Sequence, residues 1–134
     1  MDAVAFIDPA VVDFINANLI PIRVPADDPE LGPRYKVKWT PTLLMVDADG
    51  VEQSRTLGFY PPAELIPSLL LGIGKTRFNL PDRPAACASF AQILADFPAS
   101  SMAPEAVYLD GVSRYIETHE VANLIGIYDR LKAE

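Results

Sequence analysis

The chain contains one cysteine, Cys87, and one histidine, His119. A single thiol can close no disulfide within one chain and can run no dithiol redox cycle. One thiol and one imidazole also exclude a Cys/His metal cluster within one chain. Basic residues are few: 11 Lys and Arg stand against 18 Asp and Glu, a formal charge of −7. Their densest run is Arg34, Lys36 and Lys38, too sparse for the basic footprint that nucleic acid requires. The acidity reads as a solubility feature. Long apolar runs are missing too. Leu69-Leu70-Leu71 lies in a segment broken by Pro67, Gly72 and Gly74, short of a membrane span. Met1-Asp2 opens acidic, without a basic n-region or a small-residue cleavage site, so a cytoplasmic location is expected.

What remains is a chain of 134 residues, half of them apolar, enough for one domain or one small domain with an appendage. Asp8-Pro9 pairs an N-cap with a proline at the first helical position. Val11, Val12, Phe14 and Ile15 give that helix an apolar face up to Asn18. Residues 19–24 read as a strand, and Pro21 inside it favours a sheet edge or a bulge. Asp28-Pro29 repeats the helix-start signal for a short turn through Tyr35. Residues 43–46 are continuously apolar, as expected of a strand covered on both faces. Asp49-Gly50 supplies a turn, and residues 51–57, mixed in polarity, read as an edge strand. Tyr60-Pro61-Pro62 opens a helix with Leu65, Ile66, Leu69, Leu70 and Ile73 inward; Pro67 should kink it or delay its start. Residues 75–84 show no periodicity and read as a linker.

Beyond the linker the pattern is helical. Phe90, Ile93, Leu94 and Phe97 share one face, and Pro98 stops that helix. Pro104 starts another with Val107, Tyr108, Val112, Tyr115 and Ile116 inward. Thr118 or His119 caps a third with Val121, Leu124, Ile125, Tyr128 and Leu131 inward. These helices resemble tetratricopeptide-type hairpins, notably Phe97-Pro98-Ala99-Ser100 followed by Pro104-Glu105-Ala106-Val107-Tyr108. About one and a half repeats fit, too few for a free-standing solenoid.

Trp39-Thr40-Pro41-Thr42 leads directly into the apolar strand, the Asp-Gly turn, the return strand and Gly58. That order resembles the second half of a thioredoxin-like fold, over residues 4–72. The resemblance implies a cis-proline at Pro41 whose neighbouring backbone pairs with an extended peptide, a form of β-augmentation. It also implies a Cys-x-x-Cys upstream, and residues 2–6 resemble the stretch that follows the second cysteine. The expected architecture is therefore α/β: a thioredoxin-like core truncated at its N-terminus (residues 1–74), a linker (75–84) and a helical hairpin tail (85–134). The central strand of that fold is then missing. Three arrangements would satisfy the orphaned backbone groups. The flanking strands pair directly; residues 3–7 become a strand; or two chains complete each other. A homodimer through exposed sheet edges is the expectation.

Other motifs have plainer readings. Gly74-Lys75-Thr76 imitates the end of a phosphate loop, but Leu69 stands where the pattern requires glycine, and it reads as a helix stop. Asp47-x-Asp49-Gly50 lacks the oxygen ligands of a calcium loop. Cys87 has no evident basic neighbour to lower its pKa and reads as a small buried hydrophobe. His119 reads as a solvated loop residue. No cofactor or metal is expected. The site candidates are Trp39, Thr40 and Pro41; for Trp39 a half-covered core role is the alternative, and for the Thr-Pro step a fold-shaping turn. Three functions are consistent with these residues: a shortened thiol–disulfide oxidoreductase, redox-inactive as it stands; a non-catalytic module binding a peptide or protein; or a self-association unit. Membrane and nucleic-acid partners are not expected.

Overall fold

The computed structural model describes residues 4–133. Among them are six helices and two strands: α1 (Pro9–Asn18), α2 (Leu31–Arg34), β1 (Thr42–Val46), β2 (Glu52–Leu57), α3 (Pro62–Asn79), α4 (Arg83–Asp96), α5 (Ala103–Thr118) and α6 (Ala122–Ala133). The architecture is mostly helical α/β, a two-strand hairpin followed by four helices. The chain divides into two compact units, Met1–Ile66 and Pro67–Glu134, and the division falls within α3.

In the first unit the Asp-Pro signals act as their chemistry dictates. The Asp8 carboxylate accepts from the N–H groups of Ala10 (2.9 Å) and Val11 (3.3 Å), and Pro9 occupies the first turn of α1. Asp28 accepts from the N–H groups of Glu30 (3.0 Å) and Leu31 (2.7 Å) and so opens α2. Strands β1 and β2 pair antiparallel from Thr42 opposite Leu57 to Met45 opposite Ser54; an irregularity then sets Val46 opposite Glu52. The turn is built by Asp47, which accepts from the N–H groups of Asp49 and Val51, each at 2.9 Å. Gly50 takes φ 75° there, a value that costs glycine nothing. The Tyr35 hydroxyl donates to the Gly50 carbonyl (2.7 Å), and the Arg55 guanidinium donates to the Tyr35 carbonyl, tying the end of α2 to the hairpin. Ala5, Val11 and Leu65 are fully buried.

Several expectations are corrected here. Residues 19–24 form no strand. Pro21 brings no N–H, and among the described residues the sheet holds only β1 and β2, so the segment has no ladder there; Ile20 and Ile22 are 90% and 81% exposed. Direct pairing of this segment with β1 is thus not formed. Residues 4–7 lie in a turn rather than a strand or a continuing helix; residues 1–3, on which the rest of that expectation falls, lie outside the described part. Strand β1 is half-buried rather than covered on both faces, and Val46 is exposed; among the described residues only β2 pairs with it.

In the second unit α5 packs against both α4 and α6. Phe90 and Ile93 of α4 are fully buried, as expected, with Leu94 and Phe97 half-buried. Burial of each large apolar side chain contributes about 1.5–3 kcal/mol. The α5 contact face is made of small residues, Ala103, Ala106, Gly111 and Ser113, together with Val107 and Asp110. Tyr108, expected inward, is exposed. The α6 expectation is reversed: Ile127 is buried, while Val121, Leu124, Ile125, Tyr128 and Leu131 are all exposed. Two contacts with α5 decide this. Ile127 fills the hollow left at Gly111, and Arg130 reaches the buried Asp110 carboxylate at 3.5 Å, where Arg114 also binds at 3.0 Å.

Helix α3 starts at Pro62 without delay and continues through Pro67, whose ring is fully buried; the loss there is one backbone hydrogen bond. It also runs on to Asn79, so residues 75–79 are helical rather than linker, and Gly74 lies inside the helix instead of stopping it. Gly74 is needed for another reason: a Cβ at this position would overlap the fully buried Phe90 ring. Substituting Gly74→Ala is expected to destabilise the chain by about 1–2 kcal/mol, the overpacking cost less the gain in helix propensity. Gly126 in α6 faces open space, so Gly126→Ala should stabilise by about 0.5–1 kcal/mol. Urea unfolding of the two variants checks both signs.

Candidate functional site

The Thr40–Pro41 peptide bond is cis. It brings the chain into β1 at the open end of the hairpin, where the Gly58 N–H donates to the Pro41 carbonyl (2.9 Å) and Gly58 takes φ 86°. The Thr42 hydroxyl donates to the Trp39 carbonyl (2.5 Å), closing a tight turn around the proline. Trp39 is 71% exposed. The half-covered core role is thereby corrected: its indole projects to solvent from the step that the sequence singles out. Leu57 and Phe59, on either side of Gly58, are exposed as well. The hairpin mouth therefore presents Trp39 on one arm and Leu57 and Phe59 on the other, with the Pro41–Gly58 hydrogen bond between them. Leu57 and Phe59 were not singled out by sequence reasoning; Leu57 stands opposite Thr42 in register, and the Gly58 N–H bonded to Pro41 sets both beside the step.

Strands β1 and β2 each have one neighbour. The outer edge of β1 accordingly has no strand beside it among the described residues, and this edge starts at Pro41. A second feature of the same unit is an open depression of about 550 Å³ lined in part by Asp27, Asp28, Lys36 and Lys38. Charges of both signs meet there, and Asp28 is already committed to its backbone donors.

The remaining candidates fall into structural roles. Gly74-Lys75-Thr76 lies within α3; the Thr76 hydroxyl donates to the Gly72 carbonyl (2.8 Å), and Lys75 pairs with Glu105 at 2.5 Å. His119 is exposed and ends α5 in the left-handed conformation, φ 58°. The Thr118 hydroxyl accepts from the Glu120 N–H and the Asn123 amide, organising the start of α6. Cys87 is half-buried, and desolvation pushes its thiol pKa up; Asp110 adds to this, while Arg114 and a hydrogen bond with Ser113 oppose it. Among the described residues no group of three or more His, Cys, Asp or Glu is placed to hold a metal ion, and no helix is long and apolar enough to cross a membrane. Comparison of the chain with family models, with curated proteins and with solved structures finds no match to any of them.

Hydrogen bonds from the Val51 N–H, the Gln53 amide and the Asp49 N–H hold the Asp47 carboxyl below the usual aspartate value of 3.8. The folded hairpin thus binds this proton less readily than the unfolded chain. The associated stability is present above pH about 3.8 and is lost as pH falls through the lower folded value. In an NMR titration the Asp47 carboxyl and the Val51 amide should share a midpoint below 3.8, and Asp47→Asn should abolish that amide shift. At Cys87 the raised thiol pKa predicts alkylation at pH 7.5 slower than that of a free cysteine, with a rate that keeps climbing with pH after the free thiol has levelled off. The same chain should reduce insulin with dithiothreitol no faster than dithiothreitol alone.

Proposed function

We propose that the first unit is a thioredoxin-like domain that acts as a non-catalytic binding module for extended peptide. In this reading the cis Thr40–Pro41 step and the outer edge of β1 supply backbone hydrogen bonds to a bound strand. Trp39 and Phe59 supply rigid aromatic contact, the kind of side chain that dominates recognition surfaces. One observation carries it: the only tryptophan of the chain stands exposed beside a cis-proline at the start of a strand with an unpaired edge. Relation to thiol–disulfide oxidoreductases belongs to the same reading, but the 134 residues hold one thiol, so the chain as it stands has no dithiol chemistry. A cytoplasmic location belongs to the same reading.

Self-pairing through the same edge is the second reading. The exposed Ile20 and Ile22 favour it, since an apolar extended segment without a ladder is a natural strand donor.

Titration with a soluble extended peptide of alternating valine and lysine tests the proposal through Trp39 fluorescence. A blue shift that saturates is expected, with affinity falling about tenfold in Phe59→Ser. A spectrum unchanged up to millimolar peptide would sink the peptide reading.

A further inference from the structure

Residues 20–25 of the first unit are exposed, and their prolines fall in a pattern. In an extended chain successive residues direct their N–H and C=O groups to opposite edges. Pro21, Arg23 and Pro25 therefore share one edge, which has lost two of its three donors. Ile20, Ile22 and Val24 share the other, with all three N–H groups present. The prolines also favour extended backbone at Ile20 and Val24, the residues ahead of them. Ile20, Ile22 and Val24 are exposed, and none of them has a backbone hydrogen bond among the described residues. The segment is a strand with one edge closed and one edge open.

Strand β1 carries the matching feature. The Gly58 N–H bonds to the Pro41 carbonyl, and the register continues with Thr42 opposite Leu57. Pro41, Leu43 and Met45 thus direct their backbone groups towards β2, and Thr42, Leu44 and Val46 direct theirs to the outer edge. We propose that residues 20–24 of a second copy of this chain pair with that outer edge, through Ile20, Ile22 and Val24, with the prolines outermost. This rests on the reading of the outer edge of β1 as a strand acceptor, and it names the strand. Three residues with unpaired backbone groups stand on each side of the pairing. Their side chains share one face of the resulting sheet, aliphatic throughout except Thr42. Exchange in both directions uses both open edges and closes the pair, and Pro21 and Pro25 close each added strand to any further one. Its size sets the strength. The exchange engages about ten residues of each copy, against the roughly 20 to 30 of a standard interface. The dimer is accordingly weak and reversible, with a dissociation constant on the order of 0.1 mM.

Sedimentation of the full chain from about 10 µM to about 2 mM tests this, a range chosen to bracket that affinity. The mean mass is expected to climb from 14.6 kDa towards twice that value. Ile22→Pro removes a donor from the open edge and should hold the chain monomeric throughout. Arg23→Pro adds a third proline to the closed edge and should leave association within about twofold of the parent. Both put one more proline into a segment that forms no ladder in the free chain, so the comparison reads which edge pairs. Amide hydrogen exchange of the parent chain gives a second readout that needs no variant. On going to about 2 mM the Ile20, Ile22, Val24, Thr42, Leu44 and Val46 amides should slow, while the Arg23 amide stays as it was. A chain that stays monomeric over the whole range overturns the proposal. So does a dimer that survives Ile22→Pro, which would place the contact elsewhere, or protection that does not alternate along residues 20–24. If the valine–lysine peptide still saturates Trp39 in a chain that stays monomeric, this inference falls and the peptide reading stands; silence in both experiments removes both.

Discussion

A hairpin of two strands leaves one edge of each strand without a partner in the sheet, and the first unit is organised around that constraint. Its two ends are closed differently. At the turn, Asp47 gathers two backbone N–H groups and the Gln53 amide, and Tyr35 and Arg55 tie the hairpin to the end of α2. These bonds fix the register, and with it which residues of β1 face which side. At the mouth, one backbone hydrogen bond joins Pro41 to Gly58, and the large side chains around it point to water. The rigid end of the hairpin is polar and satisfied; the other end is apolar and open. An arrangement of this kind places recognition at the mouth and leaves the turn to hold the geometry.

The second unit answers a different constraint, close approach between helices. Gly74 admits the Phe90 ring and Gly111 admits Ile127. Ala103 and Ala106 keep the rest of the α5 face low. Packing at this density leaves little room for adjustment, so a methyl group matters at Gly74 and not at Gly126. The Asp110 carboxylate is buried at the same face, and a buried carboxylate must be paired. Arg114 on its own helix and Arg130 on α6 do so. That pairing also fixes the rotation of α6 about its axis. Near the same face, desolvation raises the Cys87 thiol pKa and the Asp110 charge adds to it, while Arg114 opposes it.

Much of this was legible from local chemistry. Both Asp-Pro helix starts, the Asp-Gly turn, the two strands of the hairpin and the helices of the tail follow from capping, turn and periodicity rules applied to single residues. What was not legible depends on partners distant in sequence. Residues 19–24 have strand composition, but composition cannot supply the neighbour that a ladder requires. Residues 75–79 lack apolar periodicity and are helical because α3 continues through them. Of the candidate site, the Trp39-Thr40-Pro41 step was visible in the sequence. Leu57 and Phe59 were not, because their place beside that step comes from the hairpin register at Leu57 and the Gly58–Pro41 hydrogen bond. The exposure of Trp39 was likewise hidden, since an indole next to a buried strand has the composition of a core residue.

Helix α6 shows most sharply why pattern and burial diverge. A periodicity argument assigns the broadest apolar stripe to the interior, because burying it releases the most free energy. That argument assumes the neighbouring helix can receive the stripe. Here α5 offers a glycine and a carboxylate instead. Ile127 fits the first and Arg130 the second; turning the helix to bury Leu124 and Tyr128 would empty the hollow at Gly111 and remove one guanidinium from a buried charge. The present rotation keeps both contacts at once. The exposure of this apolar face follows from the internal packing of the unit, which gives the contact with α5 to Ile127 and Arg130.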